Sequence, residues 1–324
     1  SGEAKGVIDE SVRGMDLYIL VDVCNYSLTY SMSGNTNHMS PDDHYQNLKR
    51  IIAAVGGKAK RINVIMPFLY ESRQHKRSSR ESLDCALALQ ELTHMGVDNI
   101  ITFDAHDPRV QNAIPLSGFE TVRPTYQFVK GLLDRYDDLI IDSDHMMAIS
   151  PDEGATERAV YLANVLNLDM GMFYKRRDYT RVVNGRNPIV AHEFLGSSVE
   201  GKDVIILDDM ISSGDSILDV AKQLKSRNAK RIFAAATFGL FTNGLDKFDE
   251  AYESGLIDGV LTTNLIYQTP ELLSRPYYIN CDMSKYVALM IDTLYHDGSI
   301  SDILDPSERI QVCVEEYKKA HGQL

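Results

Sequence analysis

The chain has 324 residues, of which 44% are hydrophobic and 24% are charged, and its formal net charge is −13. This length favours two domains that each bury their own core, and the acidic balance argues against a broad nucleic-acid-binding surface. No apolar run is long enough to span a bilayer and no signal peptide is visible, so we expect a cytoplasmic protein that binds no membrane and that collects positive charge only in local clusters.

Short apolar runs alternate with amphipathic stretches along the whole chain. The apolar runs predict strands at residues 17–24, 62–67, 100–105, 146–150, 170–174, 204–207, 232–237 and 259–263. The amphipathic stretches predict helices at residues 41–55, 82–95, 124–134, 155–166, 216–227 and 284–296. This alternation predicts an α/β fold of mainly parallel sheets flanked by helices. In such sheets ligands bind at the carboxyl ends of the strands.

A polar, acidic stretch at residues 137–145 lies near the middle of the chain. We interpret it as the link between two α/β domains. The predicted N-terminal domain spans residues 1–143, and the predicted C-terminal domain spans residues 144–309. The last residues, 310–324, are a candidate addition to the N-terminal domain.

The strongest motif runs from residue 204 to residue 216. Four apolar residues predict a buried strand, and two adjacent carboxylates, Asp208 and Asp209, stand at its carboxyl end. The chain then enters a helix through the small residues Ser212, Ser213, Gly214 and Ser216. Backbone N–H groups, a helix N-terminus and serine hydroxyls suit a phosphate, while the carboxylates can accept hydrogen bonds from ribose hydroxyls. An ordinary strand–turn–helix with a capping serine is the alternative interpretation.

This motif resembles the phosphoribosyl diphosphate loop of type I phosphoribosyltransferases and of ribose-phosphate diphosphokinases. The rest of the chain is similar to the diphosphokinases along almost its full length. Six short motifs carry the resemblance in order: residues 11–16 (SVRGMD), 73–74 (RQ), 103–106 (FDAH), 150–154 (SPDEG), 175–177 (KRR) and 199–203 (VEGKD). The resemblance implies two domains of the type I phosphoribosyltransferase fold. It also implies a homo-oligomer built from dimers, with hexamers among the larger assemblies.

The diphosphokinase family transfers the diphosphoryl group of Mg-ATP to the C1 hydroxyl of ribose 5-phosphate. The products are phosphoribosyl diphosphate and AMP. The resemblance therefore implies that ATP and ribose 5-phosphate are the substrates, with Mg²⁺ as the cofactor. Asp208 and Asp209 would orient the ribose, and the loop residues Ser212, Ser213, Gly214 and Ser216 would hold its 5-phosphate. The transition state carries charge on phosphate oxygens, so this chemistry requires Mg²⁺ and fixed cations.

Arg73 and Gln74 lie in a basic stretch that continues through His75, Lys76, Arg77 and Arg80. In an acidic protein such a local cationic patch suits a triphosphate, although a solvated loop is the common fate of charge runs. The resemblance implies that Arg73 and Gln74 contact ATP. It also implies that Glu3 belongs to an adenine pocket for the ATP of a neighbouring subunit.

His106 and Asp152 each follow a predicted strand, one in each half of the chain. The resemblance implies that they face each other and hold the Mg²⁺ of Mg-ATP, and that His106 belongs to the ATP site. A neutral imidazole and a carboxylate are reasonable ligands, although Mg²⁺ more usually takes oxygen. The alternative interpretations are a capping or core histidine for His106 and a plain helix N-cap for Asp152.

Lys175 and Arg177 follow the strand predicted at residues 170–174. Alternate residues of an extended strand point the same way, so these two cations would share a face and Arg176 would point away. The loop at residues 178–187 is long enough to close over a site and exclude water. The resemblance implies that Lys175 and Arg177 are the catalytic residues of a direct in-line transfer. A basic surface loop is the alternative interpretation.

Several positions depart from the family pattern. Many family members have Asp where Ser212 stands and a second Gly where Asp215 stands. An Asp near the phosphate adds like-charge repulsion, so Asp215 either points to solvent or alters the ligand. His75 replaces a common Asp, and residues 25–41 are longer than the usual loop. The chain begins at Ser1 without Met, so we expect its natural beginning to be missing.

Other functions compete with this interpretation. A phosphoribosyltransferase would share the sugar-phosphate loop, but it would not require Arg73, Gln74 and His106, and no nucleobase hood is evident. A non-catalytic or regulatory subunit would lose the catalytic cations, whereas Lys175 is present. Asp215 leaves room for another ribose 5-phosphate derivative as the acceptor.

Overall fold

The computed structural model describes residues 3–177 and 189–323, apart from the side chains of residues 175–177 and 189–192. The strands of this described part are β1 (Asp16–Leu20), β2 (Thr29–Met32), β3 (Asn35–His38), β4 (Arg61–Ile65), β5 (Asn99–Phe103), β6 (Gly118–Val122), β7 (Met146–Ser150), β8 (Asp169–Arg177), β9 (Ile189–Leu195), β10 (Asp203–Ile211), β11 (Arg231–Gly239), β12 (Gly259–Thr263) and β13 (Tyr278–Cys281). The helices are α1 (Pro41–Val55), α2 (Asp84–His94), α3 (Thr125–Arg135), α4 (Thr156–Leu166), α5 (Asp215–Lys225), α6 (Asp246–Glu253), α7 (Pro270–Leu273), α8 (Ser284–Tyr295), α9 (Ser301–Leu304) and α10 (Ser307–Ala320), with a 3₁₀ helix at Pro108–Ala113. None of the helices in these ranges has the length and apolar character that crossing a membrane requires. The predicted α/β class is confirmed, because mainly parallel sheets are flanked by helices.

The chain divides into two compact units. Unit 1 contains Ser1–Pro124, Asn264–Gln268 and Asp282–Asp305. Unit 2 contains Thr125–Thr263, Thr269–Cys281 and Pro306–Leu324. This division differs from the domain limits predicted from the sequence, which place the boundary between residues 143 and 144 and consider residues 310–324 for the N-terminal domain.

Unit 1 is built on a four-stranded parallel sheet in the order β1–β4–β5–β6. Helix α1 begins with a capping box, because the Ser40 hydroxyl accepts the N–H of Asp43 at 3.2 Å while the Asp43 carboxylate accepts the N–H of Ser40 at 2.9 Å. Buried residues of α1 and α2 form one core with those of β4 and β5. This packing fixes the carboxyl ends of β4 and β5, which Arg73, Gln74 and His106 follow in the chain.

A hairpin that the sequence analysis did not predict, β2–β3, lies between β1 and α1. Its two-residue turn consists of Ser33 (φ 53°) and Gly34 (φ 78°), and positive φ at both positions is typical of a tight hairpin turn. His38 ties the base of the hairpin, since its Nδ1 lies 2.6 Å from the carbonyl oxygen of Tyr26. The extra length noted at residues 25–41 is therefore an ordered hairpin.

Unit 2 is built on a seven-stranded sheet in the order β13–β12–β11–β10–β7–β8–β9, parallel except for β9, which runs antiparallel to β8. Strand β10 is covered on both faces. Val204 and Ile206 belong to one core with α5 and α6, whereas Ile205 and Leu207 belong to the other core with α3, α4 and α10. A strand that is buried on both faces appears in the sequence as a continuous apolar run. This pattern explains why the sequence predicts a strand at residues 204–207.

Residues 137–145, interpreted from the sequence as a link between domains, lie in unit 2. Leu139 and Ile141 are buried in the same core as α3. Helix α10 is hydrogen-bonded to this part of the chain. The Tyr317 hydroxyl donates to the carbonyl of Tyr136 at 2.7 Å and accepts the N–H of Leu139 at 3.0 Å. The acidic residues of the segment therefore lie on the surface of a packed turn, and the last residues of the chain pack in unit 2.

Replacing Tyr317 by Phe should lower the free energy of unfolding by about 1–2 kcal/mol, because a buried N–H and a part-buried carbonyl lose this partner. Chemical denaturation followed by circular dichroism measures this change. Tyr295→Phe is a matched control, since Tyr295 is 58% exposed, and it should change the free energy of unfolding by less than about 0.5 kcal/mol. Equal stability of Tyr317→Phe and the wild type would show that this hydroxyl does not hold α10 in place.

Candidate functional site

The two carboxylates of the strongest motif lie within a strand rather than after it. Strand β10 continues to Ile211, and its last two residues still pair with β11. Asp209 is 4% exposed and Asp208 is half-buried. The N–H of Asp209 donates to the Asp208 carboxylate at 2.8 Å. The pair is therefore held by the backbone of a central strand.

The charge of Asp152 acts on Asp208 of this pair. Strand β7 pairs with β10 and ends two residues before Asp152. Burial raises the pKa of Asp208 well above its ordinary value, the charge of Asp209 raises it further, and the charge of Asp152 adds a smaller rise. The charge of Asp152 thus acts on a carboxyl group that the sequence analysis assigned to a different ligand.

Asp152 also makes the contacts of a turn-closing residue. Its Oδ1 accepts the N–H of Gly154 at 2.9 Å and the N–H of Ala155 at 3.3 Å, just before α4. The capping interpretation and the ligand interpretation therefore do not exclude each other, since the carboxyl group that closes the turn still acts on Asp208.

Gly214 determines the shape of the small-residue loop. Its φ is +82°, a left-handed value that glycine adopts without strain. A Cβ at this position would lie 2.4 Å from Cε2 of Phe248, which is buried on α6. Gly214 is the N-cap of the 11-residue helix α5, and Ser216 lies in its first turn. The loop backbone can therefore approach a ligand closely, and the helix N-terminus favours an anion there.

The side chains of the loop are organised around Asp215. The Ser213 hydroxyl donates to Asp215 Oδ2 at 2.9 Å, and the Lys247 ammonium group lies 2.5 Å from Asp215 Oδ1. The hydrogen bond from Lys247, followed by the one from Ser213, lowers the pKa of Asp215. The carbonyl of Ser212 accepts the N–H of Thr242 at 3.0 Å. Asp215, which departs from the family pattern, thus forms an ion pair with Lys247.

The contribution of α6 to this loop was not predicted from the sequence. Lys247 and Phe248 lie in this helix, which is absent from the predicted elements. Phe248, Ala251 and Tyr252 recur at helical spacing, so a short amphipathic helix was detectable. Its contact with the loop was not detectable, because that contact depends on tertiary packing.

Arg73 and Gln74 are exposed residues in unit 1, in the turns that follow β4. The N–H of Gln74 donates to the carbonyl of Glu71 at 2.8 Å, and Glu71 has a φ of 55°. Just before them, Tyr70 stacks on Tyr45 with ring centroids 4.2 Å apart and an interplanar angle of 3°. The predicted ATP residues therefore lie on a turn that is anchored to α1.

His106 follows β5 in the same unit and lies in a polar cluster. Its ring meets that of His75 edge-on, with centroids 5.3 Å apart. His75 Nδ1 lies 3.0 Å from Asp107 Oδ2, and Arg109 binds the same carboxylate through Nε at 2.9 Å and Nη2 at 2.6 Å. Arg109 lowers the pKa of Asp107 to about 2. Burial lowers the pKa of His75, against the opposing charge of Asp107. His106 is therefore next to the basic stretch, through His75, and is not a core histidine.

The remaining predicted residues are not brought into either group. Glu3 is exposed at the start of the described chain. His106 belongs to unit 1 and Asp152 to unit 2, so their predicted meeting stays a prediction. The backbone of β8 continues to Arg177, but the side chains of Lys175 and Arg177, and the predicted loop at residues 178–187, lie outside the described residues.

The carboxyl groups of unit 2 suit a hard divalent cation. The raised pKa of Asp208 shows that negative charge is costly at this position, and a bound cation would offset that cost. Among the side chains that the structure describes, no group of three or more His, Cys, Asp or Glu is arranged to hold a metal ion. Mg²⁺ does not require such a group, since it usually binds one or two carboxylates and completes its shell with water and substrate phosphates. The donor set therefore fits Mg²⁺.

Two family models match the chain. The first, described as the N-terminal domain of ribose phosphate pyrophosphokinase, matches residues 1–96, and the second, described as a phosphoribosyl transferase domain, matches residues 123–263. A ribose-phosphate pyrophosphokinase of Mycoplasma genitalium is 31% identical over 269 residues, which are 82% of this chain and 73% of the relative. Another, of Vibrio parahaemolyticus, is 28% identical over 93% of this chain and 87% of the relative.

Among solved structures, a phosphoribosylpyrophosphate synthetase from Mycobacterium smegmatis matches with a TM-score of 0.74. The match covers 92% of this chain and 88% of that chain, at 24% sequence identity. At this level of identity the likeness supports the fold.

Replacing Gly214 by Ala should lower the free energy of unfolding by roughly 2 kcal/mol, because a left-handed φ and a clash with Phe248 act together. Gly201→Ala is the matched control, since Gly201 has a φ of +72° but no heavy atom within 4 Å of the added Cβ. It should show the backbone strain alone, about 1 kcal/mol. Chemical denaturation of both variants measures the difference. If Gly214→Ala is no less stable than Gly201→Ala, Phe248 does not constrain the loop.

Proposed function

The chain belongs to the ribose-phosphate pyrophosphokinase family, and we propose that it transfers the diphosphoryl group of ATP to the C1 hydroxyl of ribose 5-phosphate. The products are phosphoribosyl diphosphate and AMP. The observation that carries this function is the presence, in one chain, of the pyrophosphokinase N-terminal domain and the sugar-phosphate loop. A phosphoribosyltransferase needs only the second of these, and the curated relatives favour a catalytic chain over a regulatory one.

Unit 2 binds ribose 5-phosphate in this proposal. The backbone N–H groups of the loop and the N-terminus of α5 hold the 5-phosphate, together with the loop residues Ser212, Ser213, Gly214 and Ser216. Asp208 and Asp209 accept hydrogen bonds from the ribose 2- and 3-hydroxyls. The position of these carboxylates within β10 supports the role, because a strand backbone holds an acceptor more precisely than a loop does.

Unit 1 contributes the residues for ATP. Arg73 and Gln74 contact the polyphosphate, His106 contacts the nucleotide, and Glu3 contacts the adenine bound by a neighbouring copy. The exposure of Arg73 and Gln74 on an anchored turn supports this role. A role for Glu3 in a neighbouring copy requires a homo-oligomer, so we propose a cytoplasmic assembly built from dimers.

His106 and Asp152 are the proposed contacts of the Mg²⁺ that accompanies ATP, and a bound cation would offset the repulsion that the charge of Asp152 exerts on Asp208. Bound Mg²⁺ would neutralise charge that develops on the phosphate oxygens.

Lys175 and Arg177 are the proposed catalytic residues. They hold positive charge against the diphosphoryl group while the ribose C1 hydroxyl attacks the β-phosphorus in line and AMP leaves. The backbone of β8 includes both positions at its end, and its pairing with β9 is irregular between Arg176 and Arg177. The reaction needs no covalent enzyme intermediate, and no side chain is assigned as a general base.

The purified chain, supplied with Mg²⁺, ATP and ribose 5-phosphate, should release AMP and phosphoribosyl diphosphate in equal amounts. A coupled assay for AMP, with chromatographic detection of phosphoribosyl diphosphate, measures this. Omission of ribose 5-phosphate is the control for plain ATP hydrolysis. A chain that binds ATP but releases no AMP at any Mg²⁺ concentration would contradict the proposed function.

Lys175→Ala should reduce kcat about 100-fold or more, because it removes a charge that acts in the transition state. The KM values for both substrates should change much less. Arg176→Ala is the control, since this neighbouring cation is assigned no role in the transfer. Steady-state kinetics of the three proteins decide the matter, and an unchanged kcat in Lys175→Ala would remove Lys175 from the mechanism.

A further inference from the structure

We propose that Lys247 is a further residue of the sugar-phosphate site, which acts by neutralising Asp215 so that the loop can accept a doubly charged 5-phosphate. The proposal rests on the proposed function, because it concerns the same loop. Lys247 lies outside the motif at residues 204–216, on the first turn of α6.

Asp215 occupies a position where its charge matters. It is the first residue of α5, directly after the N-cap Gly214. A carboxylate at a helix N-terminus interacts favourably with the partial positive charge there. A bound phosphate would use the same charge and the same N–H groups. Without compensation, the Asp215 carboxylate would therefore repel the ligand that the loop is proposed to hold.

The structure shows how this charge is compensated. Lys247 Nζ lies 2.5 Å from Asp215 Oδ1, and the Ser213 hydroxyl donates to Oδ2 at 2.9 Å. Both carboxylate oxygens therefore accept a hydrogen bond from a neighbour. The charges of Lys247 and Asp215 sum to zero, so the side chains of this pair add no net negative charge at the mouth of the loop.

The packing of α6 places Lys247, so the ion pair does not have to hold it alone. Its neighbour Phe248 has an exposed fraction of 0%. The Phe248 ring lies against Gly214, where an added Cβ would be 2.4 Å away, and it meets the ring of Phe241 edge-on at 5.2 Å. The start of α6 is thus packed onto the loop, and this packing places the Lys247 side chain next to Asp215.

This ion pair should affect ligand binding more than folding. The side chains of Lys247 and Asp215 are 50% and 56% exposed, and ion pairs with such exposure add little stability. The charge of Asp215, however, acts on any anion in the same loop. Loss of Lys247 should therefore appear in the affinity for the sugar phosphate, with little change in stability.

The test is a double-mutant cycle on the KM of the full chain for ribose 5-phosphate at saturating ATP. Lys247→Met should raise this KM about fivefold, with a larger effect at low than at high ionic strength. The double variant Lys247→Met/Asp215→Asn should return the KM to within about twofold of the wild type, because the repelling charge has gone as well. Asp215→Asn alone should not raise the KM.

Lys130→Met is the matched control. Lys130 pairs with Asp134 at 2.6 Å, and its side chain is 45% exposed. It lies on α3, which packs on the opposite face of the unit 2 sheet from α5 and α6. This variant should leave the KM for ribose 5-phosphate unchanged. The proposal is overturned if Lys247→Met leaves the KM unchanged, or if the double variant keeps the raised KM, since Lys247 would then not act through Asp215.

Calorimetric titration of ribose 5-phosphate into the same variants separates this proposal from the proposed function. If the wild type binds the sugar phosphate but releases no AMP, the enzymatic function fails and the Kd values decide the role of Lys247 by the same cycle. If the wild type is active and the double variant is not rescued, only the role of Lys247 fails. A wild type that neither binds nor turns over ribose 5-phosphate overturns both.

Discussion

Burial of strand β10 on both faces is the constraint from which the rest of unit 2 follows. Residues 204–207 alternate between two apolar cores, so a polar ligand has no place along this part of the strand. Polar side chains follow only after residue 207, where Asp208, Asp209 and the loop around Gly214 succeed one another, while Ile211 still belongs to one core. The same burial raises the pKa of Asp208, which makes this end of the strand a place where a cation or a hydroxyl donor is favoured.

Both units use an aromatic side chain to fix a turn that would otherwise be free to move. In unit 1, Tyr70 stacks on Tyr45 of α1 just before the exposed turn that carries Arg73. In unit 2, Phe248 of α6 packs against Gly214. A site is precise only when the residues that support it are themselves packed. The exposed polar residues of each turn can therefore be presented to a ligand at little further cost in conformational entropy.

The sequence predicts best what depends on burial and on neighbours along the chain. Residues 204–207 were predicted as a strand because a doubly buried strand is a continuous apolar run. The hairpin with the turn at residues 33–34 was missed because its strands are polar and exposed. The link at residues 137–145 was inferred from its charge, which outweighed the two apolar residues, Leu139 and Ile141, that the structure buries. The pairing of Lys247 with Asp215 could not be predicted, because only the folded chain brings α6 to the loop.

Each unit is assembled from segments that are separated in the sequence. This arrangement affects the order in which the units can be completed during synthesis. Unit 1 is completed only by residues 264–268 and 282–305, and unit 2 only by residues 306–324. Domains usually fold in order as the ribosome delivers them, the N-terminal one first. Here α10, which supplies Ile310, Val314 and Tyr317 to a core of unit 2, is made after all the other elements of that core. That core stays incomplete until α10 has left the ribosome, and its apolar surface stays exposed until then.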